Sequence, residues 1–262
     1  MNVNGEEFQL KQRLSDLVRN CTERYTSGFS KFLDGADLAF ARDFVSSCCG
    51  CLCYCFGGFP NAQRCIVGVF PEDVYGAGVV CEDDIISEFE IKGIFIEGSG
   101  YKKFSHRDIL GSLLSLGIKR ETVGDISVCE DGFSAYAAVT SSVAEYLCKS
   151  LGFIGNDKVR VSVIDACSLP EIKREYRIIS GTVASFRLDC VISLCTGLSR
   201  EKSKKLIDSG LVSINHREAL KCDVLVSEND LLSVRGHGRF EVLEAGDLTR
   251  KGRSRIVVAK MI

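Results

Sequence analysis

The sequence of 262 residues lacks the features that would assign it to several common protein classes. It has no run of about eighteen apolar residues, which excludes a transmembrane helix. The amino-terminal stretch MNVNGEEFQLKQRL has no basic segment followed by an apolar one, so no secretory signal is expected. Glycine-rich nucleotide-binding motifs and the GxSxG nucleophile motif are also absent. We therefore expect a cytoplasmic protein with no membrane contact, no catalytic residues, no metal and no cofactor.

Charge is nearly balanced overall but is unevenly distributed along the chain. Residues 181–262 carry 14 Lys and Arg against 10 Asp and Glu, a net charge of +4. Residues 1–180 carry 19 against 25, a net charge of −6. Because phosphate groups attract basic side chains, affinity for nucleic acid is expected in the carboxyl-terminal third.

Fourteen cysteines are many for a protein expected in the cytoplasm. The densest group lies between residues 48 and 55, but it does not form CxxC pairs at zinc-binding spacing. The cysteines at odd positions from 49 to 55 would point to one face of a strand. This pattern favours free cysteine acting as a small apolar residue, with an unrecognised metal site and redox chemistry as the alternatives.

Hydrophobic periodicity predicts an α+β protein with several parts. Residues 1–80 are predicted to form a small α+β domain, and an acidic, glycine-containing stretch at 71–84 is expected to end it. Its predicted helices and strands lie at 6–26, 36–47, 51–56 and 65–70.

Residues 81–170 are predicted to form a ferredoxin-like domain, because helices and strands alternate in the order strand, helix, strand, strand, helix, strand. The first strand is predicted at 87–96, and the sheet is expected to have four strands. RNA-reading domains share this order, but the RNP signature is missing around Phe133 and Tyr136. Base stacking on the sheet and a packing or protein-contact surface therefore both stay open. Ser105 is expected to cap the following helix, with a catalytic His-Arg-Asp group as the alternative.

Residues 171–184 are predicted to be a linker, because a charged run precedes a run of small residues. Residues 185–262 follow as a small basic domain. It is predicted to have one helix at 186–196, a second that Ser199 caps, and a carboxyl-terminal hairpin. Arg200 and Lys204 are four residues apart on the second helix and share one flank. Basic side chains and helix amino-termini that converge in one small domain suit a phosphate backbone.

A series of short motifs runs through this domain. In chain order they are Arg187-Leu188-Asp189, Ser199-Arg200, Ile207-Asp208-Ser209-Gly210, Val212-Ser213-Ile214-Asn215, Lys221 and Val234-Arg235-Gly236-His237-Gly238-Arg239-Phe240. With these motifs the segment resembles an S4 RNA-binding domain. Two positions that hold glycine in such domains are His216 and Asn229 here, and both residue types tolerate positive φ.

Motifs outside the basic domain extend the resemblance over nearly the whole chain. They are Phe32-Leu33-Asp34, Gly57-Gly58-Phe59 with Ala62 and Arg64, the segment from His106 to Ile118 with Arg120, and Gly124-Asp125-Ile126. With them the chain resembles the YlmH-type S4 proteins of Gram-positive bacteria, a family of ribosome-associated quality-control factors. The resemblance implies a monomeric RNA-binding protein without catalytic activity. It implies binding to rRNA and tRNA on the large ribosomal subunit, where peptidyl-tRNA is engaged during rescue of stalled ribosomes and nascent-chain tailing.

The expected RNA-binding residues combine phosphate-neutralising cations with groups that hydrogen-bond backbone or 2′-hydroxyl groups. They are Arg187, Ser199, Arg200, Lys202, Lys204, Lys205, Asn215, Lys221, Arg235 and Arg239. Gly236 and Gly238 are expected to let RNA approach the chain closely. The alternatives are an S4-containing RNA-modifying enzyme of the pseudouridine synthase kind, an S4-bearing methyltransferase and a cell-division-associated interaction protein.

Overall fold

A computed structural model describes residues 3–76, 80–248 and 252–261 of the chain. The chain forms two compact units, Met1–Ile172 and Lys173–Ile262, each with its own hydrophobic core. Both units combine helices with antiparallel sheets, so the chain has a mixed α+β fold with several sheets. Within the described residues, no helix is long and apolar enough to cross a membrane.

The amino-terminal part of the first unit packs two helices against a small antiparallel sheet with strand order β1-β3-β2. Its elements are α1 (Val3–Arg24), β1 (Gly28–Phe29), α2 (Gly35–Ser46), β2 (Cys51–Phe56) and β3 (Ile66–Pro71). Leu14 of α1 and Val45 of α2 are fully buried against Val67 and Val69 of β3. The helices and strands predicted for this region are confirmed, with small shifts at their ends.

The acidic stretch after β3 contains two short helices, α3 (Glu72–Tyr75) and α4 (Glu82–Ser87). The first turn of α4 holds three acidic residues, where the helix dipole favours negative charge. Ile85 and Phe89 are buried in the core before the next strand begins. The strand predicted at 87–96 therefore starts later, as β4 (Ile91–Gly98).

The middle of the chain has the predicted element order, but its antiparallel sheet has five strands in the order β5-β6-β4-β8-β7. After β4 come α5 (His106–Ser115), β5 (Val123–Val128), β6 (Ser134–Thr140), α6 (Ser141–Ser150), β7 (Phe153–Ile154) and β8 (Asp157–Asp165). Strand β7 is not predicted from the sequence, because a strand of two residues has no measurable hydrophobic period.

The two faces of this sheet are covered by different parts of the first unit. Residues of α5 and α6 pack on one face around Ile94, Ile96 and Ala137. On the other face, Ala138 belongs to a second core with Phe59 and residues of the amino-terminal part. A Cβ added at Gly58 would lie 3.2 Å from the Cβ of Ala138, so the two segments touch through glycine. The amino-terminal part thus covers one end of the second face.

Helix α5 begins with a capping box, as its sequence predicts. The Ser105 hydroxyl accepts a hydrogen bond from the Asp108 backbone N–H (3.2 Å), and the Asp108 carboxylate accepts one from the Ser105 backbone N–H (3.0 Å). The Ser105 hydroxyl also donates to the Asp108 carboxylate at 2.7 Å, and this hydrogen bond, with the one from the Ser105 backbone N–H, holds the pKa of Asp108 below its usual range. Asp108 therefore has a structural role at the start of α5.

The second unit is built on one six-stranded antiparallel sheet with strand order β11-β10-β12-β13-β14-β9. Its elements are β9 (Tyr176–Val183), α7 (Leu188–Thr196), α8 (Arg200–Asp208), β10 (Val212–Ile214), β11 (Arg217–Glu218), β12 (Leu231–Val234), β13 (Gly238–Leu248) and β14 (Ser254–Met261). The two predicted helices are confirmed, and the motif residues at 212–214 form strand β10. The predicted carboxyl-terminal hairpin is formed by β13 and β14, and Arg250 and Lys251, which lie between these strands in sequence, are outside the described residues.

Strand β9 lies inside the segment predicted to be a linker, so the structure differs from the sequence-based expectation there. It pairs with β14 along its whole length, from Tyr176 opposite Met261 to Val183 opposite Ser254. The charged run at 171–177 indicated a solvated connection, but the β-branched residues that follow it suit an edge strand. The partner strand is about 70 residues away in sequence, so local periodicity gave no signal for the pairing.

The turns of the second unit use asparagine and histidine in the left-handed region. Asn215, His216 and Asn229 have φ values of 48°, 67° and 66°. The expectation that His216 and Asn229 tolerate positive φ where such domains hold glycine is therefore confirmed, and the neighbouring Asn215 adopts positive φ as well.

Candidate nucleic-acid interface

A buried carboxylate, Asp189, lies at the start of α7 and binds two of the predicted arginines. Its Oδ1 accepts a hydrogen bond from Arg187 Nε at 3.2 Å, and its Oδ2 accepts one from Arg200 Nη2 at 2.7 Å. Only 8% of the Asp189 side chain is exposed, against 41% for Arg187 and 57% for Arg200. The carboxylate therefore fixes two guanidinium groups, one from the residue that precedes α7 and one from the first residue of α8, while leaving much of each open to solvent.

The electrostatics of this arginine–aspartate cluster favour its charged form. Burial alone would raise the pKa of Asp189, but the hydrogen bonds from Arg200 and Arg187 outweigh it and hold the pKa below the usual carboxyl range. The hydrogen bond to Asp189 also raises the pKa of Arg200. The cluster consequently carries two positive charges and one negative charge at neutral pH.

The depressed pKa of Asp189 predicts a pH dependence of stability. A carboxyl whose pKa is lower in the folded than in the unfolded chain stabilises the fold above the unfolded value, about 4. That contribution is lost as pH falls through the lower folded value. In denaturant unfolding of the second unit, the stability difference between the wild type and Asp189→Asn should shrink as pH is lowered from 7 to 3. A difference that stays constant over this range would contradict the prediction.

The lysines of α8 extend the cationic surface beyond the arginines. Lys202, Lys204 and Lys205 are all exposed, whereas Ser203 and Ile207 on the opposite side of the helix are buried. Lys205 Nζ lies 3.4 Å from Glu201 Oε1, an exposed pair one turn apart. Such a pair contributes little to stability, so the lysine can exchange it for a phosphate at little cost.

Ser199 has a structural role at this interface. Its hydroxyl oxygen accepts a hydrogen bond from the Lys202 backbone N–H at 3.3 Å, which caps α8 as predicted. Its carbonyl accepts one from the Ser203 hydroxyl at 3.1 Å. The cap fixes where α8 begins, and thereby where Arg200 points.

The loop that holds Lys221 runs along the start of α7. The Asp189 backbone N–H donates to the Cys222 carbonyl at 3.3 Å, and the Leu188 N–H donates to the Val224 carbonyl at 2.8 Å. Lys221 is exposed and directly precedes Cys222, so this loop brings a further cation next to the arginine–aspartate cluster. Arg187, Arg200 and Lys221 thus belong to one surface, and Lys204 lies close enough to act electrostatically on Cys222 beside Lys221.

Arg235 and Arg239 line a separate open groove of about 440 Å³ beside the turn between β12 and β13. Gly210, His216 and Glu218 also line this groove, so it is less cationic than the helical surface. The turn needs glycine because Gly236 has a φ of +83°. A Cβ on Gly236 would meet no atom within 4 Å, so backbone conformation, rather than close packing within the chain, explains this glycine.

The side chain of Asn215 joins two strands. Its Nδ2 donates to Asp230 Oδ1 at 2.7 Å, and its Oδ1 accepts from the Leu231 backbone N–H at 2.9 Å. These bonds tie the turn after β10 to the start of β12. The predicted polar contact with RNA would therefore compete with a structural role.

The motif residues of the first unit also converge on one place. Arg64 is only 8% exposed, and its guanidinium donates to Asp34, to the Phe32 carbonyl (3.2 Å) and to the Val123 carbonyl (3.1 Å). Asp125 accepts from the backbone N–H groups of residues 63 and 64. Arg64 therefore fastens the amino-terminal part to β5. Motifs that are distant in sequence thus meet at one place in the fold.

The cysteine cluster is divided between core and surface. All fourteen cysteines are free; Cys21 and Cys51 are buried in the amino-terminal core, as expected for small apolar residues. The strand begins at Cys51, so Cys49 does not share the predicted face. A hydrogen bond from Cys55 lowers the pKa of Cys53 to about 7. Among the described residues, no group of three or more His, Cys, Asp and Glu side chains is arranged to hold a metal ion.

Comparison with known proteins supports the assignment of the fold. Residues 86–167 match the family model described as "Putative RNA-binding domain in YlmH". The chain is 30% identical over 203 residues to the ribosome-associated protein quality control protein P2 of Bacillus subtilis (strain 168), covering 76% of this chain and 74% of that protein. The chain belongs to the YlmH family. The structure of this YlmH-family chain is similar to that of the cell division protein YlmH from Streptococcus pneumoniae. The TM-score is 0.50 at 18% identity, over 63% of this chain and 93% of that one, which indicates a shared fold.

The geometry adds one residue to the predicted set of this YlmH-family chain. Asp189 was recognised only as part of the Arg187-Leu188-Asp189 motif, yet it fixes both arginines. The signal in the sequence was an acidic residue at the first turn of an apolar helix that follows an arginine. Asp189 therefore holds the neighbouring arginines of the cationic surface in place.

Proposed function

We propose that this YlmH-family chain is a non-catalytic RNA-binding protein that binds rRNA and tRNA on the large ribosomal subunit and assists the rescue of stalled ribosomes. The observation that carries the proposal is the pair of half-exposed arginines fixed by buried Asp189 beside the exposed lysines of α8. Guanidinium groups held in fixed positions suit phosphate oxygens, and mobile lysines add charge at little cost. The name of the Bacillus subtilis relative, ribosome-associated protein quality control protein P2, supports the ribosome as the partner.

The domain assignment forms part of this proposal. Residues 81–170 are a ferredoxin-like domain, supported by two helices on one face of a sheet with the order β5-β6-β4-β8. Residues 185–262 are an S4-type RNA-binding domain, supported by α7, α8 and the strands that follow. The chain acts as a cytoplasmic monomer in which the basic domain binds the sugar–phosphate backbone of folded RNA.

Removal of the α8 lysines should weaken this binding in a salt-dependent way. We expect the triple variant Lys202→Gln, Lys204→Gln, Lys205→Gln to bind ribosomal RNA about tenfold or more weakly at low salt. The slope of log K against log salt concentration should fall by roughly 0.7–0.9 per lost phosphate contact. Filter binding over a series of salt concentrations measures both quantities.

A triple variant of exposed lysines in the first unit, Lys11→Gln, Lys31→Gln, Lys149→Gln, removes the same charge and serves as the control. It should leave affinity and salt slope nearly unchanged. Equal losses in the two triple variants would mean that net charge, rather than the α8 surface, governs binding.

Co-sedimentation with 50S particles at moderate salt tests the ribosomal part of the proposal, which fails if the wild-type chain stays in the supernatant.

A further inference from the structure

A row of four side chains crosses the middle sheet on the face opposite α5 and α6. In the strand register, Ser127 lies opposite Tyr136, Tyr136 opposite Phe95, and Phe95 opposite Ser162. Directly opposite residues on paired strands share a face, so two aromatic rings stand at the centre of the row with a hydroxyl on each side. The aromatic positions lie on β4 and β6, which are next to one another in the sheet.

The two rings form a contact pair that is still partly exposed. The centroids of Phe95 and Tyr136 are 4.8 Å apart, with an angle of 39° between the ring planes. Both side chains are half-buried, and Ser162 beside them is exposed. Tyr136 borders the core formed with the amino-terminal part, whereas Phe95 belongs to neither core that flanks this sheet. Core packing therefore accounts for the position of Tyr136 but not for that of Phe95, whose side of the pair is left open.

The surroundings of the pair are polar and only weakly charged. Lys158 and Arg160 precede Ser162 at alternate positions of β8, so they point to the same face, and both are exposed. Glu97 lies directly opposite Arg160, and its negative charge offsets part of theirs. A ligand of this face would thus gain more from contact with the rings than from attraction to phosphate.

We propose that the Phe95–Tyr136 pair is a stacking platform for the bases of single-stranded RNA. Unpaired bases can lie flat on exposed aromatic rings, whereas the bases of a duplex are already stacked on each other. The hydroxyls of Ser127 and Ser162 are placed to hydrogen-bond the edges of such bases. This inference rests on the proposed RNA-binding function and extends it to a second surface. The ligand of this second surface is unpaired RNA, whereas the ligand of the α8 surface is structured RNA.

The platform predicts stacking-dependent binding with a shallow dependence on salt. We expect Phe95→Leu and Tyr136→Leu each to weaken the binding of a short fluorescent oligouridylate to the full chain about fivefold or more. Leucine keeps an apolar side chain but removes the flat ring. Tyr136→Phe keeps the ring and should bind nearly as the wild type does. Fluorescence anisotropy measures affinity, and thermal unfolding verifies that each variant is folded.

Tyr146→Ala provides a matched control, because this residue is 47% exposed on α6 and belongs to the helix-covered side of the sheet. It should not change the affinity for oligouridylate. Folded leucine variants that bind oligouridylate like the wild type, or a wild-type chain that does not bind it, would overturn the platform. If a leucine variant is unfolded, photocrosslinking of 4-thiouridine RNA to the wild type decides instead. Crosslinks within β4 or β6 would support the platform, and crosslinks confined to other segments would overturn it.

The two RNA-binding surfaces can fail separately. The triple lysine variant of α8 should lose structured ribosomal RNA but keep oligouridylate, and the leucine variants should do the reverse. Loss of both ligands in the lysine variant would mean that α8 binds every RNA, which overturns the platform but not the proposed function. If the wild type binds oligouridylate but no ribosomal RNA, the proposed function fails while the platform stands as an RNA site.

Discussion

The substitution Asp189→Asn is expected to weaken the binding of ribosomal RNA about tenfold, although it removes a negative charge from a surface that meets a polyanion. Simple Coulomb attraction predicts the opposite sign, since RNA repels a carboxylate. The expected loss arises because Asp189 fixes Arg187 and Arg200 through hydrogen bonds of 3.2 and 2.7 Å. Without the carboxylate, both arginines must be ordered when RNA binds, which costs conformational entropy.

The control is Glu201→Gln, which removes an exposed acid from the same surface without disturbing the arginines. Its side chain is 82% exposed and contacts only Lys205 among the ion pairs of the described residues, so binding should strengthen slightly or stay constant. Filter binding under identical salt conditions measures both variants. Stronger binding by Asp189→Asn would show that the acid acts only through its charge, and the proposed organising role would be wrong.

The largest loss of stability in the first unit is expected for Arg64→Met, about 2–4 kcal/mol. Methionine retains much of the apolar stem of Arg64 but none of its donors. The Phe32 carbonyl then loses its guanidinium donor, and Asp34 loses its partner. The Val123 carbonyl is less affected, because Arg120 also donates to it at 2.5 Å.

Hydrogen–deuterium exchange on the full chain measures this loss, because it reports each unit separately. Peptides from β1 and β3 should exchange faster in Arg64→Met, while peptides from the second unit should not change. Arg19→Met is the matched control, since its side chain is 62% exposed and pairs only with Asp16 among the described ion pairs. Exchange of the β3 peptides at the wild-type rate would contradict the assignment of Arg64 as a fastener.

Local sequence signals located most helices and turns of this protein. The capping residues Ser105 and Ser199 fixed helix starts, because a hydroxyl that binds a backbone N–H in the first turn acts over only three residues. His216 and Asn229 marked turns of positive φ, because the backbone preference of a residue is also a local property. Strand β9 was missed because its partner β14 is distant in the chain, and β7 because it is too short to show a period.

The sequence by itself determined the composition of the candidate interface: a basic carboxyl-terminal domain with motifs that place arginines and lysines around two short helices. Only the tertiary structure decided how those residues are arranged. It buried Asp189 between Arg187 and Arg200, assigned Asn215 to bonds between strands, and separated Arg235 and Arg239 into a groove of their own. The reason is physical: periodicity and capping act within a few residues, whereas burial and ion pairing depend on which distant segments the fold brings into contact.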